Sequence, residues 1–308
     1  MCNTALSKPL FRITISLFIP SLRDFIQKKL YISINNSKIM LKDLNRNSII
    51  DQYFAQDISN QNFQKALFNR VSAIGKKFTN VDFRFCIFEN CYFRNCAFDS
   101  CLFEGSKFNN SSLAGSSFSG CKFDYSTFNK TFVDDDILLN SCPGFENLKL
   151  KFARTLRTNY QSLGINESAN KAIKVELTAT KTHLYKSWNS NESYYRKKYS
   201  GFNRVKAFFK WVSFKIQEFI WGNGESVSRL LRTVLILGIL MVLYDVFKFR
   251  DTDQIDSYWS SLNQMPEIFF SIERPSHYSK SYLSLIYFIR LFIFSLFMAI
   301  IIKRFNKR

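Results

Sequence analysis

The sequence of 308 residues is poor in the residues that build most active sites. It has only two histidines, His183 and His277, together with 10 glycines and 5 prolines. The two histidines lie far apart in the chain, and no nucleophile motif accompanies either of them, which argues against an enzyme. The scarcity of glycine and proline excludes a low-complexity chain. We therefore predict a protein that is not an enzyme and that binds no cofactor.

A convincing signal peptide is also lacking. The apolar run of residues 10–22 is interrupted by Arg12 and followed by Arg23 and Asp24, where a small-residue cleavage site would be needed. Apolar and polar residues alternate in 11–17 and again in 30–34, which is typical of half-buried strands. We predict that residues 1–57 form a cap over one open end of the segment that follows.

A five-residue repeat dominates the next segment. A large apolar residue fills every fifth position, a Cys, Ser or Val stands two positions before nearly all of them, and the following residue is usually polar. Neither a helix nor a flat strand has this period. A coil that turns a corner every five residues would place each large residue in its interior. The large residues are Phe78, Phe83, Phe88, Phe93, Phe98, Phe103, Phe108, Leu113, Phe118, Phe123 and Phe128.

This pattern resembles the pentapeptide-repeat family. The resemblance implies a right-handed, four-sided β-helix over residues 58–133, with four pentapeptides in each coil and about three coils. Some soluble members of the family imitate DNA and inhibit gyrase, and their solenoids are acidic. Here lysines and arginines balance or exceed the acids. We therefore predict a platform for assembly or for a cytoplasmic protein partner.

The repeat contains five of the seven cysteines. Cys86, Cys91, Cys96 and Cys101 would point inward from four faces of one coil, and thiolates are favoured zinc ligands. Their spacing is simply that of the repeat, however, and Ser or Val fills the same place elsewhere. We predict small packing residues and no metal, with thiols that stay reduced in a cytosol.

Residues 134–229 form a strongly basic connector with helical spacing of apolar residues. Basic residues interleaved with aromatics favour either nucleic acid or an amphipathic helix at a membrane surface. A long apolar segment begins soon afterwards, so we favour the lipid bilayer as partner and consider nucleic acid unlikely. The turn Trp221-Gly222-Asn223-Gly224-Glu225-Ser226 resembles the connector of bacterial pentapeptide-repeat proteins with a channel-like C-terminus. The predicted membrane-interface residues are Lys206, Lys210, Trp211, Lys215 and Trp221.

Residues 230–308 contain two segments, 233–249 and 282–302, that are near the length needed to cross a bilayer. Buried helices of a soluble domain are the alternative, but residues 291–302 have no polar face beyond Ser295. Lysines and arginines precede the first segment and follow the second, whereas the loop between the two segments is acidic. The positive-inside rule then predicts a bacterial inner-membrane protein with both termini in the cytoplasm.

Each apolar segment carries one charged residue, Asp245 in the first and Arg290 in the second. With a rise of 1.5 Å per residue, both lie about 12 Å from the outer edge of the hydrocarbon core. Because an unpaired charge in lipid is costly, we predict an ion pair between them, within one subunit or between two. The pair would act as an anchor or as part of a gate or pore.

The segment between the two spans has room for a short re-entrant helix. The whole unit resembles the pore module of two-transmembrane potassium channels. The match stops at residues 271–275, which lack the glycines of a potassium filter. A two-helix module does not enclose a pore alone, so we predict a homo-oligomer, with a tetramer as the natural expectation. The remaining pore or gate candidates are Glu267, Ser271 and Glu273.

The sequence thus predicts a mixed β and α membrane protein. Its parts are a pentapeptide-repeat β-helix, a basic helical connector and two transmembrane helices with a re-entrant pore helix. The leading hypothesis is an oligomeric channel-like or membrane-perturbing effector. The alternative is a non-conducting, membrane-anchored scaffold for protein–protein interaction.

Overall fold

A computed structural model describes residues 46–305, so the strands predicted at 11–17 and 30–34 lie outside the described residues. The described chain begins with a solenoid of very short strands and continues as helices to its end. The strands are β1 (Ser48–Ile50), β2 (Ile58–Ser59), β3 (Leu67–Asn69), β4 (Ser72–Ile74), β5 (Lys77–Thr79), β6 (Ile87–Glu89), β7 (Tyr92–Arg94), β8 (Ala97–Asp99), β9 (Lys107–Asn109), β10 (Ser117–Ser119) and β11 (Thr127–Asn129).

These strands stack in parallel on the faces of the solenoid. One face runs in the order β1-β3-β6-β9-β11, a second β10-β8-β5-β2, and a third β4-β7. Phe68 pairs with Phe88 and Phe88 with Phe108, so one coil takes 20 residues. A face of five strands corresponds to about four turns, and the prediction of about three coils was too low.

The core of the solenoid is a set of phenylalanine stacks. Along one face, the ring centroids of Phe68 and Phe88 lie 4.8 Å apart, those of Phe88 and Phe108 4.7 Å, and those of Phe108 and Phe128 4.9 Å. All four side chains are buried. Aromatic pairs contribute about 0.5–1.5 kcal/mol beyond their buried area, so the stacks fix the register as well as the core.

Tight corners between the strands require residues with positive φ. Asparagine and glycine fill most of these positions, as expected for the left-handed region. Gly105 has a φ of +71°, and a Cβ there would lie only 2.6 Å from Cδ1 of Phe85 in the coil below. Phe85 and Tyr125 hold the equivalent corners of the neighbouring coils with φ values of 60° and 62°, so it is the Phe85 ring, rather than the backbone conformation, that favours glycine at position 105.

Two helices close the C-terminal end of the solenoid, α1 (Ile137–Asn140) and α2 (Glu146–Ser162). Phe152 of α2 packs its ring on Phe128 with a centroid distance of 6.1 Å. The Asn159 side chain accepts a hydrogen bond from the Thr131 N–H at 2.8 Å and donates one to the Thr131 carbonyl at 2.7 Å. Asn159 thus takes the place of a peptide group of the next coil and protects the open edge.

The connector continues as α3 (Asn166–Asn189), α4 (Ser193–Lys198) and α5 (Phe202–Trp221). Glu176 of α3 pairs with Arg154 and Arg157 of α2 at 2.9 and 3.2 Å. These ion pairs join α3 to the helix that caps the solenoid.

Three helices complete the described chain: α6 (Val227–Phe249), α7 (Ile255–Phe269) and α8 (Lys280–Phe305). Val227–Phe249 and Lys280–Lys303 are long and apolar enough to cross a membrane, with mean hydropathies of 2.1 and 2.6. Leu230 of α6 packs in one cluster with Ile293 and Ile300 of α8. Since Lys303, near the end of α8, bonds to Glu225 just before α6, the two helices run antiparallel.

Candidate functional site

Asp245 is the buried centre of a polar cluster in the last turns of α6, with only 3% of the residue exposed. Its carboxylate accepts hydrogen bonds from Arg250 Nε at 2.6 Å, from Tyr278 OH at 2.6 Å and from Ser261 Oγ. A buried carboxylate is tolerated when a counter-charge and several donors replace its water. Asp245 has both.

Arg250 ties this cluster to α7. It stands at the C-terminal end of α6 and turns back to Asp245, while its other nitrogens donate to Ser260 Oγ and Gln264 Oε1, both at 2.5 Å. The carboxylate and the guanidinium therefore hold together the end of α6, one face of α7 and the loop before α8.

The cluster reaches the surface at His277. Its Nε2 lies 3.5 Å from Asp245 Oδ1, and 42% of its side chain is exposed. The ring packs edge-on against Phe249 and at a tilt against Tyr278, with centroid distances of 4.8 and 4.4 Å. Burial, followed by the hydrogen bond to Asp245, raises the pKa of Tyr278 above its ordinary value.

The predicted ion pair between Asp245 and Arg290 is not formed within the chain. Arg290 donates instead to Ser271 Oγ at 2.9 Å and to the Phe269 carbonyl at 3.5 Å, and it lies 4.7 Å above the Tyr287 ring. The physical reason is that Arg250 reaches Asp245 from the end of the same helix. Arg290 is left to bind the C-terminal end of α7, where a cation is favoured.

Of the other three pore candidates, the structure brings one to Arg290. Ser271 lies two residues past the end of α7, has a φ of +60° and accepts the Arg290 hydrogen bond. The side chains of Glu267 and Glu273 are exposed at the same end of α7. Sequence reasoning missed Ser261, Tyr278 and Arg250. Arg250 lies one position past the apolar run and was therefore not counted as a charge within it. A single Ser or Tyr does not indicate a polar site in the sequence, because its partners are set by how the helices pack.

The predicted membrane-interface residues divide into two groups. Lys206 and Lys210 are exposed on α5. Lys215 pairs with Glu218 at 3.4 Å, Trp211 packs on Trp188 at a centroid distance of 5.3 Å, and Trp221 packs against the Leu230 cluster. The tryptophans thus contribute to packing between helices, which their sequence pattern did not indicate.

The outer face of α5 carries a different apolar stripe. Helical spacing places its members on one side of the helix, and each is more than one third exposed. Lys206 and Lys210 lie along one margin of the stripe. The stripe consists of Phe202, Val205, Phe209, Ile216 and Phe219.

Among residues 46–305, no group of three or more His, Cys, Asp or Glu side chains is placed to hold a metal ion. The inward cysteines instead contact main-chain carbonyls of the preceding coil. The distance is 3.0 Å from Cys86 Sγ to the Phe63 carbonyl and 3.4 Å from Cys91 Sγ to the Phe68 carbonyl. Burial raises the pKa of Cys86 to about 12 and that of Cys91 to about 11.

A family profile for pentapeptide repeats matches residues 77–112 and 101–134, with eight copies of the repeat. Two solved structures of trypsin-treated variants of QnrB1, a plasmid-mediated fluoroquinolone resistance protein, match 29% of this chain at 12% identity. The matched parts cover 64% and 54% of those chains, with TM-scores of 0.14 and 0.10. No curated protein matches this chain. The family match falls entirely within the solenoid.

Proposed function

We propose that this pentapeptide-repeat protein is a homo-oligomeric, channel-like or membrane-perturbing protein whose solenoid is a cytoplasmic platform. The observation that carries the proposal is the Asp245 cluster. It is a charged, hydrogen-bonded group enclosed between helices whose outward faces are apolar. Ionisable residues inside membrane segments generally face a bundle interior or a water-filled path.

Lipid is the natural cover for the outward faces of α6 and α8. Each helix exposes large apolar side chains along most of its length, which is unusual for a soluble surface and normal in a bilayer. At 1.5 Å per residue, the 23 residues of α6 span about 34 Å. The exposed apolar side chains include Leu235, Ile239, Phe247, Phe288, Phe294 and Ile302.

We place the protein in a bacterial inner membrane with its termini in the cytoplasm. Arg229 and Arg232 begin α6 and Lys303 ends α8, so the cations gather at one end of the helix pair. The loop at the other end carries Asp251 and Asp253. This asymmetry is the one that the positive-inside rule relates to orientation.

A pore would need several copies of the chain. One α6–α7–α8 unit supplies two spans, and a tetramer would bring four copies of α7 around a common axis. Glu267 and Glu273, exposed at the end of α7, would then form an acidic mouth that favours cations. Potassium selectivity is not proposed, because residues 271–275 supply no glycine for a row of carbonyls.

Planar-bilayer recording of the purified oligomer tests this proposal. We expect a cation conductance in the unmodified protein and a changed unitary conductance or selectivity in Asp245→Asn. The matched control is Asp253→Asn, which removes an exposed carboxylate from the adjoining loop. Size-exclusion chromatography in detergent confirms that all three proteins assemble alike. Absence of conductance in a correctly assembled oligomer would contradict the proposal.

A non-conducting scaffold is the second candidate. It is favoured by the fact that Asp245 and Arg290 both find partners inside one chain, so neither charge needs a pore. In this case, replacing residues 227–305 by an unrelated membrane anchor would leave partner capture by the solenoid and the cellular phenotype intact. Loss of the phenotype with retained capture would reject the scaffold.

A further inference from the structure

A large cavity lies where the connector meets the cytoplasmic ends of the two apolar helices. Its volume is about 630 Å³, within the range of small-ligand sites. Lys174 and Lys181 of α3, Glu218 of α5, Arg229 of α6 and Lys303 of α8 all line it. Four separate helices therefore contribute a charged side chain to one space.

The charges around this cavity are unbalanced in favour of cations. Lys181 pairs with Glu218 at 3.0 Å, and Lys303 bonds to Glu225. Arg229 is 3.9 Å from the same Glu218 carboxylate. Among residues 46–305, Lys174 has no ion-pair partner. Four cations thus face two carboxylates, and an anion is the ligand that would restore the balance.

The floor of the cavity is the turn before α6. Gly222, Asn223 and Gly224 have φ values of 66°, 56° and 85°, which fold the chain tightly enough to bring the N-terminus of α6 to the cavity. A Cβ on Gly222 would lie 3.2 Å from Cδ of Arg229, so the glycine also leaves room for that side chain. The positive end of a helix adds to the attraction for an anion.

We propose that this cavity binds a phosphate-bearing anion and that its occupancy links the connector to the membrane helices. The ligand contacts Lys174 and Lys181 on α3 together with Arg229 and Lys303 on the membrane helices. The location of the cavity relative to the bilayer rests on the membrane orientation proposed above. That orientation places the cavity at the depth of the cytoplasmic headgroups. The same chemistry is offered by an anionic phospholipid headgroup and by a soluble phosphate compound.

Binding measured on the full chain in detergent tests the proposal. The probes are phosphatidic acid added to micelles, with retention read by native mass spectrometry, and pyrophosphate, with binding read by calorimetry. We expect at least one probe to bind and to bind roughly tenfold more weakly to Lys174→Gln and to the double variant Lys174→Gln/Lys303→Gln. Lys174→Gln disturbs no ion pair, so it separates ligand contact from folding. The control Lys197→Gln, an exposed lysine of α4, should bind as the unmodified protein does.

The two probes distinguish the source of the phosphate. Retention of phosphatidic acid alone assigns a headgroup site, and binding of pyrophosphate alone assigns a soluble ligand. Equal binding by the unmodified protein, Lys174→Gln and Lys197→Gln would overturn the proposal, as would binding of neither probe. Because these measurements do not use conductance, a protein that conducts but fails to bind would reject this site and leave the channel proposal standing.

Discussion

At the scale of single residues, the small side chain two positions before each phenylalanine does more than leave space. Ser116 Oγ accepts a hydrogen bond from the Cys96 N–H and donates one to the Phe93 carbonyl, both at 3.0 Å. Ser106 and Ser126 donate to the carbonyls of Phe83 and Phe103, 23 residues earlier in each case. Cysteine and serine both occur at this position because each is small and each can donate to a carbonyl of the preceding coil.

Substitution at Ser116 tests this role. Ser116→Ala should lower the free energy of unfolding by about 1–2 kcal/mol, since a buried N–H and carbonyl lose a partner. Ser116→Cys should cost less, because a thiol is a weak donor that fits the same position. The neighbouring exposed Ser117→Ala is the control and should be nearly neutral. Denaturant unfolding followed by circular dichroism provides the measurement, and equal values for the three variants would refute the role.

The buried thiols should also be chemically inert. Because the thiolate is the reactive form, raised pKa values of about 12 for Cys86 and about 11 for Cys91 leave almost none of it present at neutral pH. We expect no alkylation of either residue in the folded protein between about pH 7 and pH 9, where an ordinary thiol gains thiolate steadily. Peptide mapping after maleimide treatment measures this, with the denatured protein as positive control. Labelling of the native protein that rises with an ordinary midpoint would contradict it.

At the scale of elements, α2 closes the solenoid by supplying side chains where a further coil would supply its main chain. Thr155 Oγ1 accepts a hydrogen bond from the Phe128 N–H at 3.1 Å, and the Asn159 side chain bonds both main-chain polar groups of Thr131. Helix α2 therefore stabilises the solenoid as well as connecting it to the rest of the chain.

The substitution Asn159→Leu tests whether the last coil of the solenoid depends on α2 for its stability. The leucine keeps the volume but pairs with neither the N–H nor the carbonyl of Thr131, which we expect to cost about 2–3 kcal/mol. Gln161→Leu, exposed on the same helix, should have little effect. Hydrogen exchange read by mass spectrometry would report faster exchange in the last coil of Asn159→Leu. Unchanged protection there would mean that α2 is dispensable as a cap.

The same elements explain what the sequence could and could not predict. A fixed period of five, with the large residues at one position, is local information and correctly predicted the solenoid and its phenylalanine core. The first coil escaped notice because Ile49 pairs with Phe68, 19 residues later, whereas the subsequent pairs are 20 apart. The first coil is one residue shorter than the others, which interrupts the five-residue period in the sequence while the strands still stack.

The candidate site shows the opposite limit. Asp245 and Arg290 were predicted to pair because they lie at the same depth along two helices. Depth alone does not specify which faces of the helices meet. Partner choice depends on how α6, α7 and α8 pack, and on an arginine at the helix end that folds back by five residues. The capping role of Asn159 was missed for the same reason, since it depends on the contact of its side-chain amide with Thr131 in the folded protein.

At the scale of the whole molecule, the proposed orientation makes a direct prediction. In spheroplasts of a bacterial host, a membrane-impermeant thiol reagent should label Asp253→Cys in the α6–α7 loop. It should not label Ser117→Cys on the solenoid until the membrane is permeabilised. Both positions are exposed in the structure, so accessibility differs only by compartment. External labelling of Ser117→Cys, or of neither variant, would contradict the orientation.

The 20-residue coil has a consequence for the dimensions of the protein. Stacked strands lie about 4.8 Å apart, so adding or deleting one complete coil would move the far end of the solenoid by that distance along its axis. The phenylalanine stacks, the corner residues and the Asn159 contact would all be reproduced in the longer or shorter form. Insertion or deletion of complete 20-residue coils therefore changes the length of the solenoid in fixed steps, each equal to one strand spacing.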